Sequence, residues 1–109
     1  MTRSVPDRWV VVEVNDIESK TTVRKVLAGW YGGYGGGDSY QLSSAIQRVD
    51  DLGDRYEFHN HSGSVYICHK NSYGMSNYMA ETYNTYKALM AENNRGSMSI
   101  VREFNPKID

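Results

Sequence analysis

Residues 55 to 60, RYEFHN, and residues 64 to 70, SVYICHK, are two β-rich runs on either side of a short stretch containing Ser62-Gly63. A three-residue loop with glycine in the left-handed position is a common connection between antiparallel strands. No other stretch of the chain constrains the fold as tightly. The register stays open. A two-residue turn at Ser62-Gly63 places His59 opposite Tyr66 and Glu57 opposite Cys68, so that Glu57, His59, His61, Tyr66 and Cys68 share one polar face. A three-residue turn over 61 to 63 sets Phe58 opposite Tyr66 and breaks that face up, because a one-residue slip swaps the faces of a strand.

Other elements can be read on both sides of this hairpin. RWVVVEVND, residues 8 to 16, is rich in β-branched residues, stops at Asn-Asp, and reads as a strand buried on at least one face. TVRKVLAGWY, 22 to 31, alternates imperfectly and reads as a second strand. Between 40 and 53, Leu42, Ala45, Ile46, Val49 and Leu52 match helical spacing, and a strand would put Ile46 and Val49 on opposite faces. The adjoining hairpin and the Gly53-Asp54 turn favour a strand over 44 to 50, and that reading is adopted. SNYMAETYNTYKALMAENNRG, 76 to 96, is the helix. Ser76 is its expected N-cap, Met79, Tyr83, Tyr86 and Met90 form one stripe that Leu89 widens, and Asn93, Asn94 and Gly96 end it. SMSIVREF, 97 to 104, is a final strand stopped by Pro106. The expected fold is α+β: a single domain over 1–109, with an antiparallel sheet of five or six short strands and one main helix, about 77–92, packed on it. The helix stripe is expected to meet Val10, Val12, Phe58, Val65, Ile67 and Ile100.

Twelve basic residues stand against thirteen acidic ones, so the basic excess that duplex-DNA binders use for phosphate contacts is missing. Cys68 is the one cysteine, which rules out a disulfide within the chain and suits a reducing compartment. The opening residues MTRSVPDRW lack the apolar core of a signal peptide, and no apolar run approaches the ~20 residues of a bilayer span. The expectation is a cytoplasmic protein with no membrane partner.

His59, His61, Cys68 and His69 all fall in the hairpin region. The letters H-N-H at 59 to 61 echo a nuclease family, but that family spreads its residues over two strands and a helix around a metal. Here they are consecutive, and 77 to 92 holds no histidine. A structural zinc site needs four closely placed ligands, and one cysteine with three histidines in a single hairpin does not easily converge on one tetrahedron. Cys68 sits inside a strand, away from the helix N-terminus that would stabilise a thiolate, and reads as a core residue. No catalytic residue, metal ligand or cofactor is assigned, and the chain is read as no enzyme. A small metal protein or enzyme using His59, His61 and His69 stays as an alternative.

Six of the ten glycines lie from Gly29 to Gly37, in GWYGGYGGGDSY. Glycine loses the most entropy on ordering and packs nothing, so 29 to 40 reads as a loop displaying aromatic rings. It is no phosphate cradle: Asp38-Ser39 follows the last glycine where a P-loop requires Lys-Ser or Lys-Thr, and Asp38 stands where a dinucleotide fingerprint needs glycine. A nucleic-acid-binding accessory protein could stack bases on these rings, although only Arg24 and Lys25 lie nearby. Aromatic residues are favoured at interface hot spots, so Trp30, Tyr31, Tyr34, Asp38 and Tyr40 form the expected partner-binding set.

Gly53-Asp54, Tyr56, Phe58 and Ser62-Gly63-Ser64-Val65-Tyr66 together resemble a hairpin of small uncharacterised bacteriophage and prophage accessory proteins, which carry an SGSVY or SGSxY strand pair. The resemblance is confined to 53 to 66 and brings no catalytic residue with it. It implies a phage accessory protein made inside a bacterial host cell, of the kind that binds and blocks a host factor, antagonists of CRISPR and other defence systems among them. The expected function is therefore a non-enzymatic binding protein, a phage-encoded inhibitor of a host protein complex.

Overall fold

In the computed structural model, which describes residues 3–32 and 37–105, the hairpin closes through the three-residue turn. The Asn60 N–H donates to the Ser64 carbonyl at 3.0 Å, the Gly63 N–H donates to the Asn60 carbonyl at 2.9 Å, and Gly63 takes φ +92°. Its strands are β6 (Arg55–Asn60) and β7 (Val65–His69), with Phe58 opposite Tyr66 and Tyr56 opposite Cys68. Phe58, Tyr66 and Cys68 are buried on one face, while Glu57 and His59 lie on the other.

Among the described residues the remaining strands and the α-helix are β1 (Arg3–Ser4), β2 (Arg8–Asp16), β3 (Thr21–Trp30), β4 (Ser39–Leu42), β5 (Ile46–Asp51), α1 (Asn77–Glu92) and β8 (Gly96–Val101), with short 3₁₀ turns at Lys70–Ser72 and Arg102–Phe104. The fold is α+β, but its strands number eight and form two four-stranded sheets, in place of the single sheet of five or six strands expected. One runs β1-β7-β6-β5, with only the β1–β7 pair parallel, and the other runs β4-β3-β2-β8, antiparallel throughout. The second sheet is the middle layer. Trp9, Val11, Val26 and Ala28 pack against Phe58, Tyr66 and Cys68 of the first sheet, and Val10, Val12 and Leu27 pack against Met79 and Tyr83 of α1. A strand covered on both faces reads as a continuous apolar run instead of alternating, which is why Trp9 to Val12 is unbroken.

This layering corrects the expected helix contacts. Val10, Val12 and Ile100 do meet α1, whereas Phe58, Val65 and Ile67 belong to the far sheet, and Ile67 is only half-buried. Leu89 is 48% exposed and does not widen the stripe, because it sits off the line of Met79, Tyr83, Tyr86 and Met90. Ser76 caps α1 as expected, its Oγ accepting from the Met79 N–H at 3.2 Å. The expected strand over 44 to 50 starts two residues later, as β5 (Ile46–Asp51), with Ser44 and Ala45 in the connection before it, and a register shift between Ile46 and Arg48 explains the ambiguous spacing. Ile46 pairs with Asn60 and Val49 with Phe58, so a bulge at Gln47 puts two residues three apart on the same face, where Ile46 packs against the core and Val49 stays exposed. The last strand stops at Val101, earlier than expected. Residues 102–104 form a 3₁₀ turn that lays Phe104 edge-on to Tyr56 and Phe58, at 5.2 and 5.3 Å between centroids. Pro106 lies outside the described residues.

Candidate functional site: a tyrosine groove between helix and sheet

The glycine-rich stretch is more ordered at its ends than its composition predicts. Gly29 and Trp30 close β3, and Ser39 and Tyr40 open β4, with Gly29 opposite Tyr40 and Trp30 opposite Ser39. Among the described residues between them, 31, 32, 37 and 38 belong to no regular element. Glycine at position 29 has a packing reason: a Cβ there would fall 2.3 Å from Met79 Sδ and 2.7 Å from Met79 Cγ. Its absence lets α1 settle closely on the β3–β4 ribbon.

That approach brings Tyr40 against two tyrosines of α1. Its ring lies 5.5 Å from Tyr78 at an interplanar angle of 78°, and 6.3 Å from Tyr86 at 71°. Both are edge-to-face geometries that ring quadrupoles favour. The Tyr40 and Tyr86 hydroxyls are 3.0 Å apart. This bond, then burial and the neighbouring phenols Tyr40 and Tyr78, hold the Tyr86 pKa above its ordinary value. Glu81, Thr82 and Thr85 complete a groove of about 250 Å³. Tyr78, Thr82 and Tyr86 repeat every fourth residue, which sets them on one ridge of the helix beside the buried stripe. Tyr78 is 40% exposed and Glu81 is exposed.

The expected partner-binding residues do not form one patch. Residues opposite each other in a ladder share a face and their neighbours take the other, so Trp30 and Tyr40 are on opposite sides of the middle sheet. Trp30 packs against the inter-sheet core, and its Nε1–H donates to the Val5 carbonyl at 3.1 Å. Tyr31 is exposed at the rim. Its hydroxyl accepts from Arg8 Nε at 3.0 Å, and its N–H donates to Asp7 Oδ2 at 2.9 Å. Asp38 Oδ1 accepts from the Gly32 N–H at 3.0 Å, drawing the two sides of the connection together. Tyr34 lies outside the described residues. Tyr40 alone of this set enters the groove, and its companions Tyr78, Glu81, Thr82 and Thr85 were not singled out from the sequence. The regular spacing of Tyr78, Thr82 and Tyr86 was the available signal, but nothing local says that residue 40 packs over them.

The histidines and the thiol occupy separate environments. His59 Nε2 is 3.0 Å from Asp50 Oδ2 and 3.8 Å from Glu57 Oε1, on the outer face of the far sheet. The potential ligand atoms of Asp50, Glu57 and His59 all fall within 4.8 Å of one another. Two guanidiniums already hold this group: Arg48 Nη2 lies 3.3 Å from Asp50 Oδ2, and Arg3 Nη2 lies 3.1 Å from Glu57 Oε2. These contacts make the cluster an ion-pair network joining β1, β5 and β6, in which both carboxylates already have a guanidinium partner. His61 Nδ1 meets Gln47 Nε2 at 3.1 Å, away from it. Cys68 is fully buried on the opposite face, and burial pushes its thiol pKa up, which leaves a protonated, unreactive group.

No protein-family model matches this sequence, and no curated protein or solved structure matches the chain. Among the described residues no helix is long and apolar enough to cross a membrane.

Proposed function

We propose that this chain is a non-enzymatic binding protein that docks a partner protein on the groove of Tyr40, Tyr78 and Tyr86. The observation that carries this reading is the convergence of three phenol rings from a strand and a helix into one open groove. Tyrosine offers large contact area at low conformational cost and a hydroxyl that tolerates both water and a partner. Rings already ordered by α1 and β4 lose little further entropy on binding. The exposed Glu81 carboxylate beside electron-rich ring faces favours a basic side chain as the partner's anchor.

The resemblance of residues 53 to 66 to phage accessory hairpins supports a more specific version. In it the chain is a phage-encoded inhibitor that binds and blocks a host protein complex, such as a CRISPR or other defence complex, in the bacterial cytoplasm. The test is capture from bacterial lysate followed by affinity measurement on the purified partner, with wild type and Tyr78→Ala compared. Truncating a hot-spot tyrosine should weaken binding by about 30-fold. A folded Tyr78→Ala variant with unchanged affinity overturns the groove as the docking surface. Binding of single-stranded nucleic acid that falls steeply with salt would instead assign the rings to base stacking.

A further inference from the structure

A second cavity, of about 370 Å³, opens where β1, the β4–β5 connection and the β6–β7 hairpin meet, and its wall includes Ser4, Ser43, Ser44, Ser62, Ser64 and Tyr66. Its volume falls within the ~300–1,000 Å³ typical of ligand pockets. None of its described lining residues is charged.

The hydroxyls are linked in a chain whose protons can be counted. Ser43 Oγ accepts from the Val26 N–H at 2.8 Å and donates to the Ser44 carbonyl at 2.7 Å, so it is fully used. Ser44 Oγ accepts from the Ser62 N–H at 3.0 Å and donates to Ser62 Oγ at 3.1 Å. Ser62 and Ser64 Oγ are 3.1 Å apart, and Ser64 Oγ also accepts from Asn60 Nδ2 at 3.2 Å. One proton serves the Ser62–Ser64 contact, so the other hydroxyl of the pair keeps a proton with no acceptor. Tyr66, only 2% exposed, lines the cavity with a hydroxyl that meets no partner among the described residues. Asn60, 4% exposed, leaves its Oδ1 without a partner just behind Ser64.

Buried polar groups are almost always paired, and Asn60 Oδ1 is the one buried side-chain polar atom without a partner among the described residues, whereas the spare proton of the Ser62–Ser64 pair and the Tyr66 hydroxyl border the cavity and can be reached from it. Unused hydroxyl donors around a roomy, uncharged cavity are complementary to a ligand that carries several oxygen acceptors. An ion would be desolvated there without a countercharge, at a far larger cost. We infer that this cavity binds a small neutral polyhydroxylated molecule of monosaccharide size, held by the hydroxyls of Ser62, Ser64 and Tyr66. These three belong to the SGSVY stretch, so the motif supplies a ligand site as well as a turn. The cavity borders the far sheet and draws Gln41 and Leu42 from β4, whereas the tyrosine groove takes only Tyr40 from that strand and the rest from α1.

Saturation-transfer NMR on the full chain, with glucose, galactose, mannose and ribose at millimolar concentration, tests the assignment, and inorganic phosphate and glucose 6-phosphate form the anionic arm. Transfer to at least one neutral sugar is expected, with affinity lowered about tenfold by Tyr66→Phe and by Ser64→Ala, each removing one hydrogen bond to the sugar, the second also releasing Asn60 Nδ2 and Ser62 Oγ. Both changes preserve shape, and each variant's thermal melt is compared with wild type. If Tyr66→Phe fails to fold, Ser64→Ala decides alone. No transfer from any of the four sugars, transfer unchanged in the folded variants, or preference for the anionic probes overturns the inference.

Discussion

The Trp9 indole Nε1–H donates to the main-chain carbonyl of His69 across 2.7 Å, tying the middle sheet to the end of β7 in the far sheet. The ring itself is fully buried, 5.0 Å from Tyr73, 5.5 Å from Phe58 and 5.9 Å from Tyr56. Trp9→Phe keeps an aromatic plug and removes the donor, so it should cost ~1–3 kcal/mol for the carbonyl left unpaired. Trp9→Ala should cost ~3–5 kcal/mol. Urea unfolding measures both, and a Trp9→Phe variant as stable as wild type would show that the hydrogen bond contributes nothing beyond packing.

Gly96 opens β8 at φ +151°, and a Cβ there would lie 1.7 Å from the Asn15 carbonyl oxygen and 2.8 Å from its carbon. Backbone cannot swing away as a side-chain tip can. Gly96→Ala should therefore cost more than Gly63→Ala, where φ is +92° but nothing lies within 4 Å. The second substitution carries only left-handed strain, ~1–2 kcal/mol. Denaturation midpoints of the two variants give the order directly.

Burial raises the pKa of Cys68, Tyr66 and Tyr73, and the Tyr40 hydrogen bond raises that of Tyr86. A group whose pKa is higher folded than unfolded stabilises fully below its unfolded value and loses that contribution as pH rises towards the folded one. Unfolded thiols titrate near ~8.5 and phenols near ~10. These groups should leave stability unchanged through neutral pH and lower it progressively above about pH 9. Cys68→Ala should remove the earliest part of that fall in a pH series of urea midpoints. A thiol reagent should label native Cys68 only as fast as the protein opens.

Arg3 and Arg48 hold the carboxylates around His59. Zinc added to the wild type should leave its thermal melt unmoved, whereas the Arg3→Ala/Arg48→Ala double variant, with Asp50, Glu57 and His59 released, should gain a zinc-dependent rise. Stoichiometric zinc in the wild-type protein, lost on His59→Ala, would instead make this cluster a metal centre.

The parts of this protein that were legible in the sequence depend on neighbours a few residues away. The Ser76 cap and the stripe of Met79, Tyr83, Tyr86 and Met90 each state their own geometry, and Ser62-Gly63 states that a hairpin turns there although not in which register, because capping, helical period and turn chemistry act within about one or two turns of chain. The bulge at Gln47 was hidden because one extra residue turns a period of two into a spacing of three, which imitates a helix.

What the tertiary structure alone decided was partnership. The unbroken run from Trp9 to Val12 demanded burial, but only the assembled layers show α1 on one side and the β6–β7 hairpin on the other. Tyr40 meets Tyr86 across 46 positions of sequence because Gly29 leaves room for Met79, and Ser44 meets Ser62 because β5 folds back on β6. Apolar burial is non-directional: a sequence announces which faces must be covered, and only the packing of distant segments selects what covers them and which polar groups are gathered at the edges.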